Sequence, residues 1–205
     1  MSSVLSDIDR QRRLDGDDKR FYDQPRFVQH VDDSFRERLT ALYRDRLSPG
    51  DEVLDLMSSW VSHLPPDLEL GDVVGHGLNE AELERNDRLD GWFLQNLNGD
   101  QTLPLEDASV DAVLCAVSVQ YLRYPGRVFA EVARVLRPGG VVVVSFSSRM
   151  FPQKAIRAWR SRSMDERAAL VCDYLDSTGA FGTPSVQSAV QRGADPFYAV
   201  TAVKP

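Results

Sequence analysis

The chain has 205 residues, a formal net charge of −7 at pH 7 and 42% hydrophobic residues. That length supports one domain with a substantial core, and the composition is that of a soluble globular protein. The negative charge disfavours a nucleic-acid partner, because it repels a phosphate backbone. The longest apolar runs fall well short of the roughly 20 residues that span a bilayer, and the N-terminal stretch lacks the apolar segment of a signal peptide. We therefore expect a cytoplasmic protein without a membrane partner.

The N-terminal stretch differs in composition from the rest of the chain. Residues 1–20 hold five acids and five bases, which predicts a polar, solvated arm ahead of a single domain at residues 21–205. From Pro25 onward, apolar residues recur at three- and four-residue spacing and predict a helix that ends near Ser48, Pro49 and Gly50. These apolar residues are Val28, Val31, Phe35, Leu39 and Leu42.

Short apolar runs then alternate with helical patterns. The predicted strands lie at residues 51–57, 72–76, 92–97, 109–115 and 140–146, and the predicted helices at residues 79–85, 126–137 and 164–175. Two final β-like segments at residues 185–191 and 197–203 are close enough in sequence to form a hairpin. This order predicts an α/β protein with a Rossmann-like wound sheet, mostly parallel, closed by a C-terminal antiparallel hairpin in a three-layer α/β/α arrangement.

Two segments carry a resemblance to a known family. They are residues 103–113, Leu-Pro-Leu-Glu-Asp-Ala-Ser-Val-Asp-Ala-Val, and residues 131–140, Glu-Val-Ala-Arg-Val-Leu-Arg-Pro-Gly-Gly. In this order of elements the chain resembles, from about Phe21 to its end, the type 11 branch of the class I S-adenosylmethionine-dependent methyltransferases. The resemblance implies methyl transfer with S-adenosylmethionine as cofactor, and we expect a small-molecule acceptor. The cofactor is then expected at the carboxyl ends of the strands.

The first cofactor loop departs from the family pattern, in which an acid is followed by alternating glycines. Asp55 matches the acid, but the glycine positions hold bulkier residues. Gly77 stands where the second strand of the family usually carries a ribose-binding acid, and Asn79 or Glu80 is a possible substitute. The cofactor residues that the resemblance implies are Asp55, Met57, Ser58, Ser59, Trp60, Gly77, Asn79, Asn96, Leu97 and Ser118.

These departures leave two interpretations open. Either the loop is a different but working cofactor site, in which the hydroxyls and amides of Ser58 and Ser59 replace the glycine contacts, or the protein is a catalytically silent nucleotide-binding or protein-interaction module. A dinucleotide oxidoreductase is a weaker alternative, because the sequence lacks a G-x-G-x-x-G motif after the first strand.

Methyl transfer needs an aligned acceptor and, for a protonated acceptor, a base. The predicted catalytic residues are His30, in a region that often forms a lid in the family, and Gln120 and Tyr121 after the fourth strand. Each also has a structural interpretation, as a surface histidine or as part of a helix start. The histidines and cysteines have no metal-ligand spacing, so no metal site is predicted.

Overall fold

The computed structural model describes residues 4–205. A sheet of seven strands forms its centre, in the order β3-β2-β1-β4-β5-β7-β6. The strands are β1 Val53–Asp55, β2 Val73–Gly77, β3 Gly91–Leu94, β4 Val110–Ala116, β5 Leu136–Phe146, β6 Ser185–Ala189 and β7 Phe197–Val203. Strands β1 to β5 pair in parallel, whereas β7 pairs antiparallel with both β5 and β6. The predicted wound sheet with a C-terminal hairpin is confirmed.

Helices cover both faces of this sheet. They are α1 Asp18–Phe21, α2 Asp33–Arg46, α3 Glu80–Glu84, α4 Pro125–Val135, α5 Arg157–Arg160 and α6 Met164–Asp176. Alternate residues of β1 face opposite sides, so Val53 packs in the cluster that contains Phe35 of α2, and Leu54 packs in the cluster of Val132 and Val171. The result is a three-layer α/β/α domain. Within residues 4–205, none of the helices is both long and apolar enough to cross a membrane.

The first long helix begins later than its apolar spacing predicts. Asp32 is its N-cap and accepts a hydrogen bond from the backbone N–H of Phe35 at 2.9 Å. Val28 lies before this cap and is 54% exposed, whereas Val31 is buried. The prediction of a helix from Pro25 was therefore wrong, because a capping aspartate fixed the start of the helix more strongly than hydrophobic spacing did.

Most described residues of the N-terminal arm are exposed, but the arm packs on the domain at Leu5 and Asp18. Leu5 belongs to the hydrophobic core, and the Asp18 side chain is only 4% exposed. Asp18 accepts hydrogen bonds from Arg12 at 2.6 Å and from Lys154 at 2.9 Å. Charge pairing with a residue far along the chain thus brings this polar segment onto the domain, which composition does not reveal.

The helix α4 ends two residues earlier than predicted, and β5 already begins at Leu136. A register shift follows, since Val110 pairs with Leu136 but Ala112 pairs with Val141. Gly140 makes this irregularity possible, because a Cβ at that position would lie 2.9 Å from the carbonyl oxygen of Asp111.

Candidate functional site

One pocket lies at the carboxyl ends of β1, β2, β3 and β4 and has a volume of about 380 Å³. This is within the range of roughly 300–1,000 Å³ that is typical of small-molecule sites. Four loops, the segment before α2 and the loop after β5 all contribute to its walls. The pocket is lined by all ten predicted cofactor residues, by His30 and Tyr121, and by Arg12, Asp18, Tyr22, Arg26, Glu82, Phe151 and Lys154, among others.

Asp55 is the buried acid at the end of β1. Its Oδ2 accepts hydrogen bonds from the hydroxyls of Ser58 at 2.6 Å and of Ser62 at 2.5 Å. Burial raises the pKa of Asp55 to about 6, and these two hydrogen bonds oppose that rise. Asp55 therefore fixes the start and the end of the loop from inside the pocket.

The serine hydroxyls of this loop are bound to carboxylates of the protein. Besides the bond from Ser58 to Asp55, the Ser59 hydroxyl donates to Oε2 of Glu82 at 2.6 Å. The Oε1 atom of Glu82 accepts the backbone N–H of Arg26. Each hydroxyl has thus used its proton within the protein, and toward a ligand it offers only oxygen lone pairs.

Met57 adopts a backbone conformation that favours glycine. Its φ angle is +58°, in the left-handed region that favours glycine. Its N–H donates to Nδ1 of His76 at 3.0 Å, and Nε2 of His76 lies 2.9 Å from the carbonyl oxygen of Gln95. His76 is therefore the neutral tautomer with its proton on Nε2, and burial lowers its pKa to about 4. This imidazole connects the loop after β1 with the end of β3.

Gly77 lies at the end of β2 against the same loop. A Cβ at this position would lie 3.0 Å from the carbonyl oxygen of Ser58 and 3.2 Å from Leu83. A side chain at position 77 would therefore require the loop backbone or Leu83 to shift by a few tenths of an ångström. The loop after β1 and Gly77 are thus in close steric contact.

Asn79 is largely committed to structural bonds. It caps α3 by accepting from the N–H of Glu82, and its Nδ2 donates to the backbone carbonyls of Tyr22 and Asp23. Glu80 is exposed and does not line the pocket. The carboxylate in the pocket wall here is that of Glu82, which the sequence analysis missed. The sequence signal for Glu82 was its position three residues after Asn79, the N-cap of α3.

The loop after β3 contributes Asn96, Leu97 and Asn98 to the pocket wall. Asn96 and Leu97 line it, and Asn98 donates to Oδ2 of Asp18 and to the backbone carbonyl of Tyr121. Leu97 is buried in the core cluster. Asn98 therefore connects the end of β3 with the N-terminal segment.

The loop after β4 contains a strained residue and two of the predicted catalytic residues. Val117 has a φ angle of +51°, which is unusual for a β-branched residue. Gln120 is buried and donates to the carbonyl of Val117, so it lies beneath the pocket wall rather than in it. Tyr121 lines the pocket, and its hydroxyl accepts the N–H of Phe151 at 2.8 Å.

The segment before α2 covers the mouth of the pocket. The His30 ring is exposed and edge-on to Phe151, with the ring centroids 5.7 Å apart. Burial on the pocket side lowers the pKa of His30, while Glu82 opposes this effect. Trp60 donates its Nε1–H to the carbonyl of Val28. This hydrogen bond joins the segment before α2 to the loop after β1.

A parallel sheet whose strand order reverses between β1 and β4, with a pocket outside the carboxyl ends of these strands, defines a Rossmann-like nucleotide-binding architecture. Residues 60–144 match the family model described as "Methyltransferase domain". The matched segment is less than half of the chain and begins after Asp55 and Met57. Through this match and this fold the chain is similar to S-adenosylmethionine-dependent methyltransferases.

Comparison with known proteins adds three relatives. A demethylmenaquinone methyltransferase of Renibacterium salmoninarum is 34% identical over 108 residues, which are 50% of this chain and 44% of that protein. The chain spans less than half the length of the curated relatives it matches. The PH0226 protein of Pyrococcus horikoshii has a TM-score of 0.63 and 17% identity, over 93% of this chain and 100% of that one.

A phosphoethanolamine N-methyltransferase 2 of Haemonchus contortus, solved in complex with S-adenosyl-L-methionine, has a TM-score of 0.59 and 14% identity, over 83% of this chain and 53% of that one. At these identities the solved structures show the shared fold alone. The choice of acceptor depends on the pocket of this chain.

Proposed function

We propose that this protein transfers a methyl group from S-adenosylmethionine to a small-molecule acceptor. The observation that carries the proposal is the pocket of about 380 Å³ at the carboxyl ends of the strands, into which the loops after four strands and the segment before α2 converge. S-adenosylmethionine, when bound, supplies an electrophilic methyl group on a cationic sulfonium. All other contributions come from residues of this chain.

The residues of the pocket fit the three parts of this cofactor. Met57 has a left-handed backbone conformation, and we propose that the loop at residues 57–60 receives the amino-acid part. Glu82 is the carboxylate in the wall near Gly77 and is our candidate for the ribose hydroxyls. Asn96, Leu97 and Ser118 are proposed to surround the adenine, where an amide can pair with the ring.

Catalysis in this proposal is mainly alignment. Tyr121 orients the acceptor, and the π-face of its ring is suited to the cationic sulfonium. Gln120 is a positioning residue, because it holds the carbonyl of Val117 beneath the pocket. His30 stays neutral near pH 7, since its pKa is lowered, and it can therefore accept a proton from the acceptor.

The small-molecule class of the acceptor and a cytoplasmic location are parts of the same proposal. The N-terminal segment and the loop after β5 wall the pocket on the side of Lys154 and Phe151, which favours a compact acceptor over a polymer. One curated relative is named for demethylmenaquinone. The net charge of −7 is unfavourable for a nucleic-acid acceptor.

The test is to incubate the protein with S-adenosylmethionine and a cell extract separated into small metabolites and macromolecules, and to measure S-adenosylhomocysteine by mass spectrometry. We expect product with the metabolite fraction, loss of it in Asp55→Ala, and no loss in Asp87→Ala, because Asp87 is exposed and outside the pocket. Product from macromolecules alone would contradict the proposal. Absence of product in every fraction would favour the silent binding module.

A further inference from the structure

One end of the pocket has an excess of buried positive charge. Lys154 and Arg12 have side chains that are 1% and 4% exposed, and both pair with Asp18. Asp18 is a single carboxylate between two cations, and it also accepts from Asn98. Asp15 lies 3.5 Å from Arg12 but is largely exposed and shared with Arg123. Buried cations without matching anions are costly, so this imbalance points to an anionic ligand.

Arg26 adds a third cation to this end. Its guanidinium carbon lies 4.9 Å from the Phe21 ring centroid, and the Lys154 ammonium lies 5.1 Å from the same centroid. Within residues 4–205 the Arg26 guanidinium forms no salt bridge, and its Nη2 donates to the backbone carbonyl of Phe21 at 2.9 Å. Arg12 and Lys154 therefore lie beside Asp18, and Lys154 and Arg26 lie beside the Phe21 ring.

Hydrogen-bond donors are in excess as well. Nη1 of Arg26 and Nε of Arg12 are buried and have no acceptor among the described residues. A buried donor without an acceptor costs free energy, which an incoming carboxylate can recover with a small shift of the side chain. Charge and hydrogen bonding thus indicate the same missing group.

Aromatic rings stand beside these cations. Tyr22, Tyr121 and Phe151 line the pocket, and their ring centroids are 6.0 to 6.5 Å apart. Tyr121 and Phe151 follow β4 and β5, whereas the proposed cofactor residues mostly follow β1, β2 and β3. The cations and rings therefore lie on the acceptor side of the pocket.

We propose that the acceptor carries a carboxylate on a planar apolar body, with Arg26 as the principal anion contact and Tyr22, Tyr121 and Phe151 around the planar part. This inference rests on the proposed function, because the anionic ligand is taken to be the methyl acceptor. The same anion chemistry occurs in the methionine carboxylate of the donor, and the experiment must separate these two sources.

The probes are benzoate and its neutral analogue benzamide, titrated by ligand-observed NMR into protein saturated with S-adenosylhomocysteine. We expect benzoate to bind about tenfold more tightly than benzamide, and Arg26→Gln to abolish this preference. Arg20→Gln is the matched control, since Arg20 is exposed and outside the pocket. Arg26→Lys, which keeps the charge but loses the planar fork, should keep part of the preference.

Equal binding of benzoate and benzamide to the wild-type protein would overturn the inference. So would an Arg26→Gln variant that binds benzoate normally but has lost S-adenosylhomocysteine, because Arg26 would then hold the donor. If S-adenosylhomocysteine does not bind even the wild type, the proposed function fails. The benzoate preference is then measured on the protein alone, and its presence or absence still decides the anion site.

Discussion

The backbone carbonyl oxygen of Ser58 lies 3.0 Å from the position that a Cβ on Gly77 would occupy. This contact joins the two departures from the family pattern, the loop after β1 and the missing acid after β2. A side chain at residue 77 would push on a backbone atom, and Ser58 is itself held there by its N–H bond to the carbonyl of His76 at 2.7 Å. The loop and the glycine are best understood as one structural unit.

Gly77→Ala should therefore lower stability by about 1–3 kcal/mol and weaken the binding of S-adenosylhomocysteine, because the Ser58 carbonyl has to move. Thermal unfolding and calorimetric titration measure the two effects. Gly91→Ala is the control, since a Cβ on Gly91 meets no atom within 4 Å. Unchanged or tighter binding in Gly77→Ala would show that the contact is not important.

The positive φ of Met57 gives a second prediction. Met57→Gly should be about 1 kcal/mol more stable than Met57→Ala, because only glycine adopts this conformation without strain. The comparison cancels the loss of the methionine side chain. The same pair at Met150, which has no positive φ, should show the opposite order. Equal stability of the two Met57 variants in urea unfolding would contradict the strained turn.

The pKa of Asp55 predicts a dependence of stability on pH. It is raised from 3.8 to about 6 by burial, so the favourable contribution of this group is present below pH 3.8 and is lost as the pH rises through 6. The loss is on the order of 3 kcal/mol. Asp55→Asn should gain stability relative to the wild type between pH 4 and 6, as measured by urea unfolding, whereas Asp87→Asn should follow the wild-type profile.

The pKa of His76 predicts the opposite dependence of stability on pH, over almost the same pH range. Its pKa is lowered from 6.5 to about 4 by burial, so its contribution is present above pH 6.5 and is lost as the pH falls toward 4. This loss is also on the order of 3 kcal/mol. His76→Asn keeps an acceptor for the Met57 N–H but cannot titrate, and its unfolding free energy should therefore fall less on acidification. Parallel wild-type and variant profiles would exclude this role.

Much of the fold could be predicted from the sequence. The apolar run at Gly140 to Phe146 predicted the strand β5, and the two C-terminal β-like segments predicted the hairpin, because local hydrophobic patterns determine such elements. The start of α2 could not be predicted from spacing alone. It depends on the side chain of Asp32 as a cap, and the preceding apolar Val28 extended the pattern misleadingly.

The candidate site was predictable in its strand-end positions but not in its contacts. Asp55 is the last residue of β1, Asn96 and Ser118 follow β3 and β4, and strand ends meet at one edge of a parallel sheet. The burial of Lys154 against Asp18 joins residues 136 positions apart, and a charged composition gave no sign of it. The same holds for Arg26, whose aromatic neighbours come from both ends of the chain.

The proposed function requires that the altered loop after β1 forms a working cofactor site. The most direct measurement is calorimetric titration of the wild-type protein with S-adenosylmethionine and S-adenosylhomocysteine. We predict saturable 1:1 binding of both ligands, with a dissociation constant on the order of micromolar, equivalent to about −8 kcal/mol. The absence of heat and of any thermal shift at millimolar ligand would contradict the account and leave a methyltransferase fold without its cofactor.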